Sequence, residues 1–199
     1  MTTIGIICEG GPGGEDEQVL RHLVGRICPA GTKVMIRPQA AKPNLIAQCG
    51  QVAQALFDSG CDRVLIVWDI QPRWGRPDGV EQDIYDIQIE LTQSGLNAHP
   101  CLYLVPIKAE LEAWLLADGS ALSAVLSRPA HKAKIGDTKN VEDNDNPKKR
   151  LSSVFEGHGR VYTPKSDAIK IVKNIPANFG MLGKLKTFKN LGRSLMQQC

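Results

Sequence analysis

The chain has 199 residues, of which 42% are apolar and 23% charged, and its formal net charge is +3. These values are close to the averages for globular proteins and argue against a disordered, collagen-like or coiled-coil chain. No stretch approaches the roughly 18 consecutive apolar residues of a membrane span, and the first residues, MTTIGIICEGG, do not resemble a signal peptide. We therefore expect a cytoplasmic protein without membrane contact.

Positive and negative residues are distributed unevenly along the chain. Residues 1–130 contain 10 Lys and Arg against 15 Asp and Glu, whereas residues 131–199 contain 14 against 6. An acidic first part beside a basic last part indicates two surfaces, one able to hold a cation and one able to meet an anion. Chance segregation on a solvated surface is the alternative interpretation.

Four short apolar, β-branched runs predict buried strands. They cover residues 4–8, 33–37, 63–68 and 101–105. Amphipathic patterns predict helices over Glu15–Ile27, over residues 44–59, in a stretch containing Ile84, Ile87 and Leu91, and in the sequence AELEAWLLAD. This alternation predicts an α/β fold of Rossmann-like type, a parallel sheet of about four strands with helices on both faces.

The chain after residue 127 has a different character. Residues 128–150 are polar, rich in Lys, Asp and Asn, and show no clear apolar period, which predicts a flexible insertion or lid. Two further helices are predicted over residues 166–175 and 184–196. We therefore divide the chain into an α/β core, residues 1–127, and a basic helical extension with its polar insertion, residues 128–199, packed on that core.

Two acidic residues stand where an open parallel sheet usually binds its ligand. Glu9 follows the first strand and Asp69 ends the third. Right-handed crossovers bring both to one edge of the sheet, where the strand order reverses. Two carboxylates at about 4 Å repel by roughly 4 kcal/mol at an effective dielectric near 20, so they need a proton or a cation such as Mg²⁺. Alternatively, Asp69 starts a turn and Glu9 is merely exposed.

Other candidate residues lie further along the chain. Glu112 shares a helix face with Leu115 and Leu116, so its half-buried carboxylate needs a partner, for which Lys108, a metal and a substrate donor are the options. Near the end of the chain a basic stripe recurs at helical spacing: Lys184, Lys186, Lys189 and Arg193. Such a stripe can follow the phosphates of a nucleic acid, or it is simply a solvated helix face.

Other motifs give weaker or negative signals. The glycine-rich loop, residues 10–14, lacks the Lys-Ser/Thr of a P-loop and the spacing of a dinucleotide site, so it favours a nucleotide-binding module only weakly. No C-x-x-C pair occurs, so neither a zinc site nor a thioredoxin-like motif is indicated. The histidines share no ligand spacing and no neighbouring nucleophile, so a catalytic triad has no support.

Taken together, these motifs resemble a TOPRIM-type domain. A strand closes on Glu9-Gly10, an acid-led helix begins at Glu15, a third strand closes on Asp69, and the helix ELEAWLLAD follows. More narrowly, the chain is similar to a small TOPRIM-like family, related to OLD-type nucleases, that is often encoded beside ABC-type ATPases in bacterial genomes. The segments NPKKRLSSVF, GRVYTPKSDAIKIV and LKTFKNL are similar to the closing segments of that family.

The resemblance implies a nuclease-like site dependent on Mg²⁺ or Mn²⁺. Glu9 and Asp69 would be metal ligands and catalytic residues, with Glu9 as ligand or general base. Glu15, or Glu17 in its place, would be the second acid of the first motif, and Glu112 an additional catalytic carboxylate. The resemblance also implies DNA or RNA as substrate, an ABC-type ATPase as partner and a role in antiviral defence.

The chain departs from the family pattern in two ways, and one of them is that extra glycines stretch the spacing after Glu9. The D-x-D of the third strand is Asp69-Ile70-Gln71, so a neutral amide replaces one anionic ligand. Gln71 can coordinate a metal through its oxygen but offers less charge, and Asp78 in the following loop is a candidate for compensation. This departure favours an alternative function, a non-catalytic regulatory subunit that binds an ATPase or a nucleic acid.

Overall fold

The computed structural model of the protein describes residues 2–71 and 79–197. Its strands are β1 (Thr3–Cys8), β2 (Lys33–Pro38), β3 (Arg63–Asp69) and β4 (Leu102–Ile107). Its α-helices are α1 (Glu15–Ile27), α2 (Lys42–Asp58), α3 (Val80–Gln93), α4 (Leu111–Ala117), α5 (Gly119–Leu126), α6 (Pro147–Glu156), α7 (Pro164–Asn174) and α8 (Lys186–Met196). Short 3₁₀ turns cover Val141–Asp143 and Leu182–Lys184.

The four strands form one parallel sheet in the order β2-β1-β3-β4, which confirms the predicted α/β fold. The chain moves from β1 to one side to form β2 and then crosses to the other side of β1 to form β3. The order therefore reverses between β1 and β3. In this register Cys8 pairs with Val67, and Asp69 pairs with Ile107 of β4. The carboxyl ends of β1, β3 and β4 consequently lie at the same edge.

Helices cover both faces of the sheet. On one face, α2 and α3 pack on strand residues that include Ile7, Ile66 and Trp68. On the other face, α1 packs on β2 and α8 on β4, while α6 packs on α4 and α7 on α1 and α5, so all belong to one core that includes Ile6 and Val67. The residues after 127 thus share a continuous hydrophobic core with the sheet. Within the described ranges, no helix is both long enough and apolar enough to cross a membrane.

The polar stretch 128–150 differs from the flexible insertion that its composition predicts. Val141 is fully buried, and α6 begins at Pro147, where the side chain of Asn146 accepts a hydrogen bond from Lys149 N at 2.9 Å. Further upstream, Ile135 N donates to Ser123 Oγ at 2.9 Å. The apolar residues of this stretch are too widely spaced to produce a helical period, yet Ala133, Ile135 and Val141 pack into the hydrophobic core.

The close approach of α2 and α3 generates a stability prediction. A methyl group on Gly50 would lie 2.3 Å from Glu90 O and 2.4 Å from Ser94 Oγ. We expect Gly50→Ala to lower the free energy of unfolding by about 1–3 kcal/mol, because the helices must separate. Gly25 of α1 has open space around it, so Gly25→Ala should stabilise by about 0.5–1 kcal/mol. Urea denaturation measures both, and a Gly50→Ala protein as stable as wild type would contradict this packing.

Candidate active site

Glu9 and Asp69 meet at the edge where the strand order reverses. Glu9 directly follows β1, Asp69 ends β3, and the two strands are hydrogen-bonded neighbours. The Glu9 Oε1 atom accepts a hydrogen bond from the backbone N–H of Asp69 at 2.9 Å. The structure therefore places these two residues side by side, as the crossover rule predicts.

Two helices bring further carboxylates to the same edge. The chain turns at Gly10, which has a φ of +74°, and the first turn of α1 then packs Asp16 so closely that a Cβ on Gly10 would lie 2.5 Å from Asp16 Oδ2. On the other side, α4 begins near Asp69, and the backbone N–H of Leu111 favours the charged form of the Asp69 carboxylate. This start of α4 carries Glu112, which is buried. We call Glu9, Glu15, Asp16, Asp69 and Glu112 the acidic cluster.

Burial and mutual repulsion make ionisation of the acidic cluster costly. Burial raises the pKa of Glu9 to about 7, although the Asp69 N–H and Lys42 favour its charged form. Burial and the neighbouring Glu112 raise the pKa of Asp16 to about 6. The pKa of Asp69 also lies well above its ordinary value, first through burial and then through Asp16 and Glu9. Such a cluster is stabilised by protons or by cations.

Lys148 supplies one cation to the acidic cluster from the first turn of α6. Its Nζ lies 3.1 Å from Glu112 Oε1 and 3.5 Å from Glu15 Oε1. Burial opposes the charge on Lys148, but Glu112 and Glu15 outweigh it and hold the pKa of this ammonium above its ordinary value. The partner of Glu112 is therefore Lys148. The sequence-based candidate, Lys108, pairs instead with Asp143 at 2.5 Å.

The cluster still contains polar atoms that lack hydrogen-bond partners. Among the residues that the structure describes, Glu15 Oε2 and the Tyr162 hydroxyl are buried without one, and Glu112 Oε1 has only the ion pair with Lys148. Burial, followed by Glu112 and Glu15, raises the pKa of Tyr162, so this hydroxyl lies in the field of the cluster. Buried carboxylate oxygens of this kind are suitable ligands for a hard divalent cation such as Mg²⁺.

These oxygens are not arranged as a finished metal centre. Over residues 2–71 and 79–197, no three or more His, Cys, Asp or Glu side chains are grouped so that they could hold a metal ion. A cation would therefore have to draw the carboxylates together on binding. The predicted ligand Gln71 is partly buried, and its backbone N–H donates to Ala109 O at 2.8 Å. Asp78 lies outside the described residues.

A buried ion pair next to Asp69 was not predicted from the sequence. Lys42, at the start of α2, is 1% exposed; its Nζ donates to Ile70 O at 2.7 Å and lies 3.5 Å from Asp83 Oδ2. Trp68 Nε1 donates to the same carboxylate oxygen at 3.2 Å. These contacts fix the chain directly after Asp69 to both α2 and α3. The acidic cluster thus lies on a rigid support.

The four residues of the predicted basic stripe, Lys184, Lys186, Lys189 and Arg193, are all exposed. The stripe runs from one edge of the sheet to the other, because the end of α8 lies near the start of β3, where Arg63 Nη1 donates to Ser194 O at 3.3 Å. Only the first part of the stripe, Lys184 and Lys186, therefore lies at the edge that carries the acidic cluster.

The start of α8 is held by a side chain from the 3₁₀ turn before α6. The Glu142 carboxylate accepts hydrogen bonds from the backbone N–H groups of Lys186 at 3.1 Å and Thr187 at 3.0 Å. The Thr187 hydroxyl also donates to Glu142 and accepts from Trp114 Nε1 at 2.9 Å. These bonds connect α8 to α4, the helix that carries Glu112.

Fold and site together define an α/β protein with an acidic site at the reversal point of a parallel sheet. Comparison of the chain with protein-family models, with curated proteins and with solved structures found no match. The TOPRIM-like resemblance therefore remains a prediction that depends on the motifs themselves.

Glu15 and Glu17 lie two positions apart in α1, yet their pKa values shift in opposite directions. Burial, with Glu112, raises the pKa of Glu15 from 4.5 to about 7. Hydrogen bonds from Gly13 N and Arg21, each at 2.9 Å, lower the pKa of Glu17. The folded protein thus holds the Glu15 proton more tightly than the unfolded chain does. The stability from this group is fully present below about pH 4.5 and is lost as the pH rises through about 7.

We therefore expect Glu15→Gln to increase the free energy of unfolding near pH 8 by about 1–3 kcal/mol and to change it little near pH 4. Glu17→Gln is the matched control. Because the pKa of Glu17 is lowered in the folded protein, this substitution should decrease the free energy of unfolding near pH 8, and the decrease should become smaller as the pH falls. Chemical denaturation at the two pH values measures both. A Glu15→Gln protein less stable than wild type near pH 8 would contradict the electrostatic description.

The ion pair of Lys148 with Glu112 generates a second stability prediction. Lys148→Gln removes the ammonium from a carboxylate whose side chain is only 4% exposed, so we expect a loss of about 1–3 kcal/mol in unfolding free energy. Lys149→Gln changes an exposed neighbour and should cost less than about 0.5 kcal/mol. Equal effects of the two substitutions in urea denaturation would show that the pair contributes nothing.

Proposed function

We propose that the chain is a metal-dependent nuclease of TOPRIM type that hydrolyses phosphodiester bonds in DNA or RNA with Mg²⁺ or Mn²⁺. The observation that carries this proposal is the contact between Glu9 and Asp69 at the reversal of the strand order. Carboxylates from α1 and α4 surround this contact, and burial first and neighbouring acids second raise the pKa values of Glu15, Asp16 and Asp69. Ligands of open parallel sheets bind at this position.

Glu9, Glu15 and Asp69 would hold the cation, with Gln71 contributing an amide oxygen. A bound divalent ion polarises a phosphate and lowers the pKa of a water molecule that attacks it. The unpartnered Glu15 Oε2 supports this assignment, because a buried carboxylate oxygen without a donor needs a positive charge. Among the described contacts, the one cation paired with the Glu15 carboxylate is Lys148, which lies 3.5 Å from the other oxygen, Oε1.

The chain's own carboxylates suit proton transfer. If Glu15 and Asp69 hold the cation without Glu9, then Glu9, whose pKa burial raises to about 7, can instead accept a proton from water at neutral pH and release it again. The hydrogen bond from the Asp69 N–H holds the Glu9 carboxylate in a fixed orientation. Glu112, buried beside Lys148, would be the additional catalytic carboxylate, oriented by that ion pair.

The partners belong to the same proposal. Of the predicted basic stripe, Lys184 and Lys186 lie at the edge that carries the acidic cluster and would contact nucleic-acid phosphates, which give affinity without reading sequence, whereas Lys189 and Arg193 lie further along α8. An ABC-type ATPase partner and a role in antiviral defence rest on the family resemblance alone.

A second candidate function is a non-catalytic regulatory subunit that keeps the fold and binds an ATPase or a nucleic acid. Two observations favour it. Gln71 stands where the family pattern has an acid, and Lys148 places an internal cation against Glu112 and Glu15. A nucleotide-binding module has less support, because in the glycine-rich loop Gly13 N donates to the Glu17 carboxylate and Gly14 N donates to Gly11 O.

Thermal denaturation tests metal binding without depending on catalysis. At a tenfold excess over its dissociation constant, Mg²⁺ or Mn²⁺ stabilises the folded state by roughly 1.4 kcal/mol, which corresponds to a rise in Tm of about 3–6 °C. We expect this rise for wild type and for Glu156→Gln, an exposed carboxylate outside the cluster. Asp69→Asn should abolish it. A Tm that does not respond to either ion would exclude the metal-dependent nuclease.

Cleavage of plasmid DNA and of RNA then separates the two functions. With Mg²⁺ or Mn²⁺, alone or with the ATPase encoded nearby, we expect cleavage that falls about 10²-fold or more in Glu9→Gln and in Asp69→Asn. Glu156→Gln should cleave like wild type. Metal binding without cleavage in any of these combinations would support the regulatory subunit instead.

A further inference from the structure

A cavity of about 510 Å³ lies at the carboxyl edge of the sheet, one strand away from Asp69. Four lysines from three parts of the chain border it: Lys108, Lys139, Lys184 and Lys186. Lys108 directly follows β4, whose last residue, Ile107, pairs with Asp69. We call this space the lysine cavity. It thus lies beside the acidic cluster but is lined by residues of opposite charge.

The lysine cavity keeps a surplus of positive charge. Its two acidic neighbours are both engaged, since Glu142 accepts the backbone N–H groups at the start of α8 and Asp143 pairs with Lys108 at 2.5 Å. In the part of the chain that the structure describes, the other three lysines form no ion pair. Like charges gathered around a concave surface focus the electrostatic potential and attract anions.

The lining of the cavity indicates which anion it suits. Its volume is in the range of ligand sites, and its remaining walls are formed by polar and aliphatic side chains such as Thr138, Met181 and Leu185. Aromatic side chains, on which a nucleotide base would stack, do not occur among the described residues that line it. The cavity therefore suits phosphate groups rather than a base.

We propose that the lysine cavity binds backbone phosphates of a nucleic-acid strand that also passes the acidic cluster. A nucleic-acid strand that has one phosphate at the carboxyl end of β3 can place its neighbouring phosphates at the carboxyl end of β4. This is because β3 and β4 are paired neighbours in the sheet. This inference rests on the proposed function only for the class of ligand. It also changes the expected interface, because Lys108 and Lys139 belong to it, whereas Lys189 and Arg193, further along α8, do not.

Fluorescence anisotropy with labelled DNA and RNA oligonucleotides in EDTA tests this inference independently of metal binding and cleavage. Lys108→Ala/Lys139→Ala and the control Lys189→Ala/Arg193→Ala each remove two positive charges. We expect Lys108→Ala/Lys139→Ala to weaken oligonucleotide binding about tenfold or more at low salt. It should also make the slope of the logarithm of the association constant against the logarithm of the salt concentration shallower by about 1–2. The control should weaken binding less than about threefold.

Several outcomes would overturn the proposal. The first is a loss of oligonucleotide binding in Lys189→Ala/Arg193→Ala that equals or exceeds the loss in Lys108→Ala/Lys139→Ala. The second is that wild type does not bind the oligonucleotide at low salt. The third is that an equimolar amount of ATP displaces the oligonucleotide, because this would indicate a site for free nucleotides. Lys184→Ala/Lys186→Ala provides a second test if removal of the exposed Lys108–Asp143 pair lowers Tm. If wild type binds the oligonucleotides but does not cleave nucleic acid, the proposed nuclease is refuted, whereas phosphate binding by the lysine cavity is still supported.

Discussion

Repulsion between partly buried carboxylates is the constraint around which the rest of the molecule is arranged. Glu9, Asp69, Asp16 and Glu112 come from four different elements and converge on one edge of the sheet. Burial first and neighbouring acids second disfavour the charged forms of Glu9, Asp16 and Asp69, so the folded chain must supply compensation or accept protons. Apolar or neutral residues at this edge would be more stable, so the arrangement costs folding free energy.

The compensation comes from the C-terminal part of the chain. Helix α6 packs against α4 in the core that is common to the sheet and the C-terminal helices, and its first turn directs Lys148 to Glu112 and Glu15. The part after residue 127 thus contributes to the acidic cluster itself and to the lysine cavity beside it. Cationic and anionic sites lie next to each other because β3 and β4 are neighbours in the sheet.

The sequence predicts those features that local pattern and chain topology control. Apolar runs locate the four strands, the spacing of Val19, Leu20 and Leu23 defines α1, and the handedness of crossovers places Glu9 beside Asp69. Features that depend on tertiary packing were missed. Lys42 follows two alanines and precedes a proline, so nothing in its surroundings along the chain indicates that it is buried against Asp83. The roles of Lys148 and of α6 were equally hidden, because their partners lie far away in sequence.

The hydrogen bonds through Glu142, Thr187 and Trp114 tie the start of α8 to α4, two residues from Glu112. Trp114 is fully buried, so this connection passes through closely packed core rather than through solvent. If both proposed sites bind their ligands, a shift of α8 on anion binding would pass through this connection to the helix that carries Glu112. Each ligand would then change the affinity for the other by the same factor, as thermodynamic reciprocity demands.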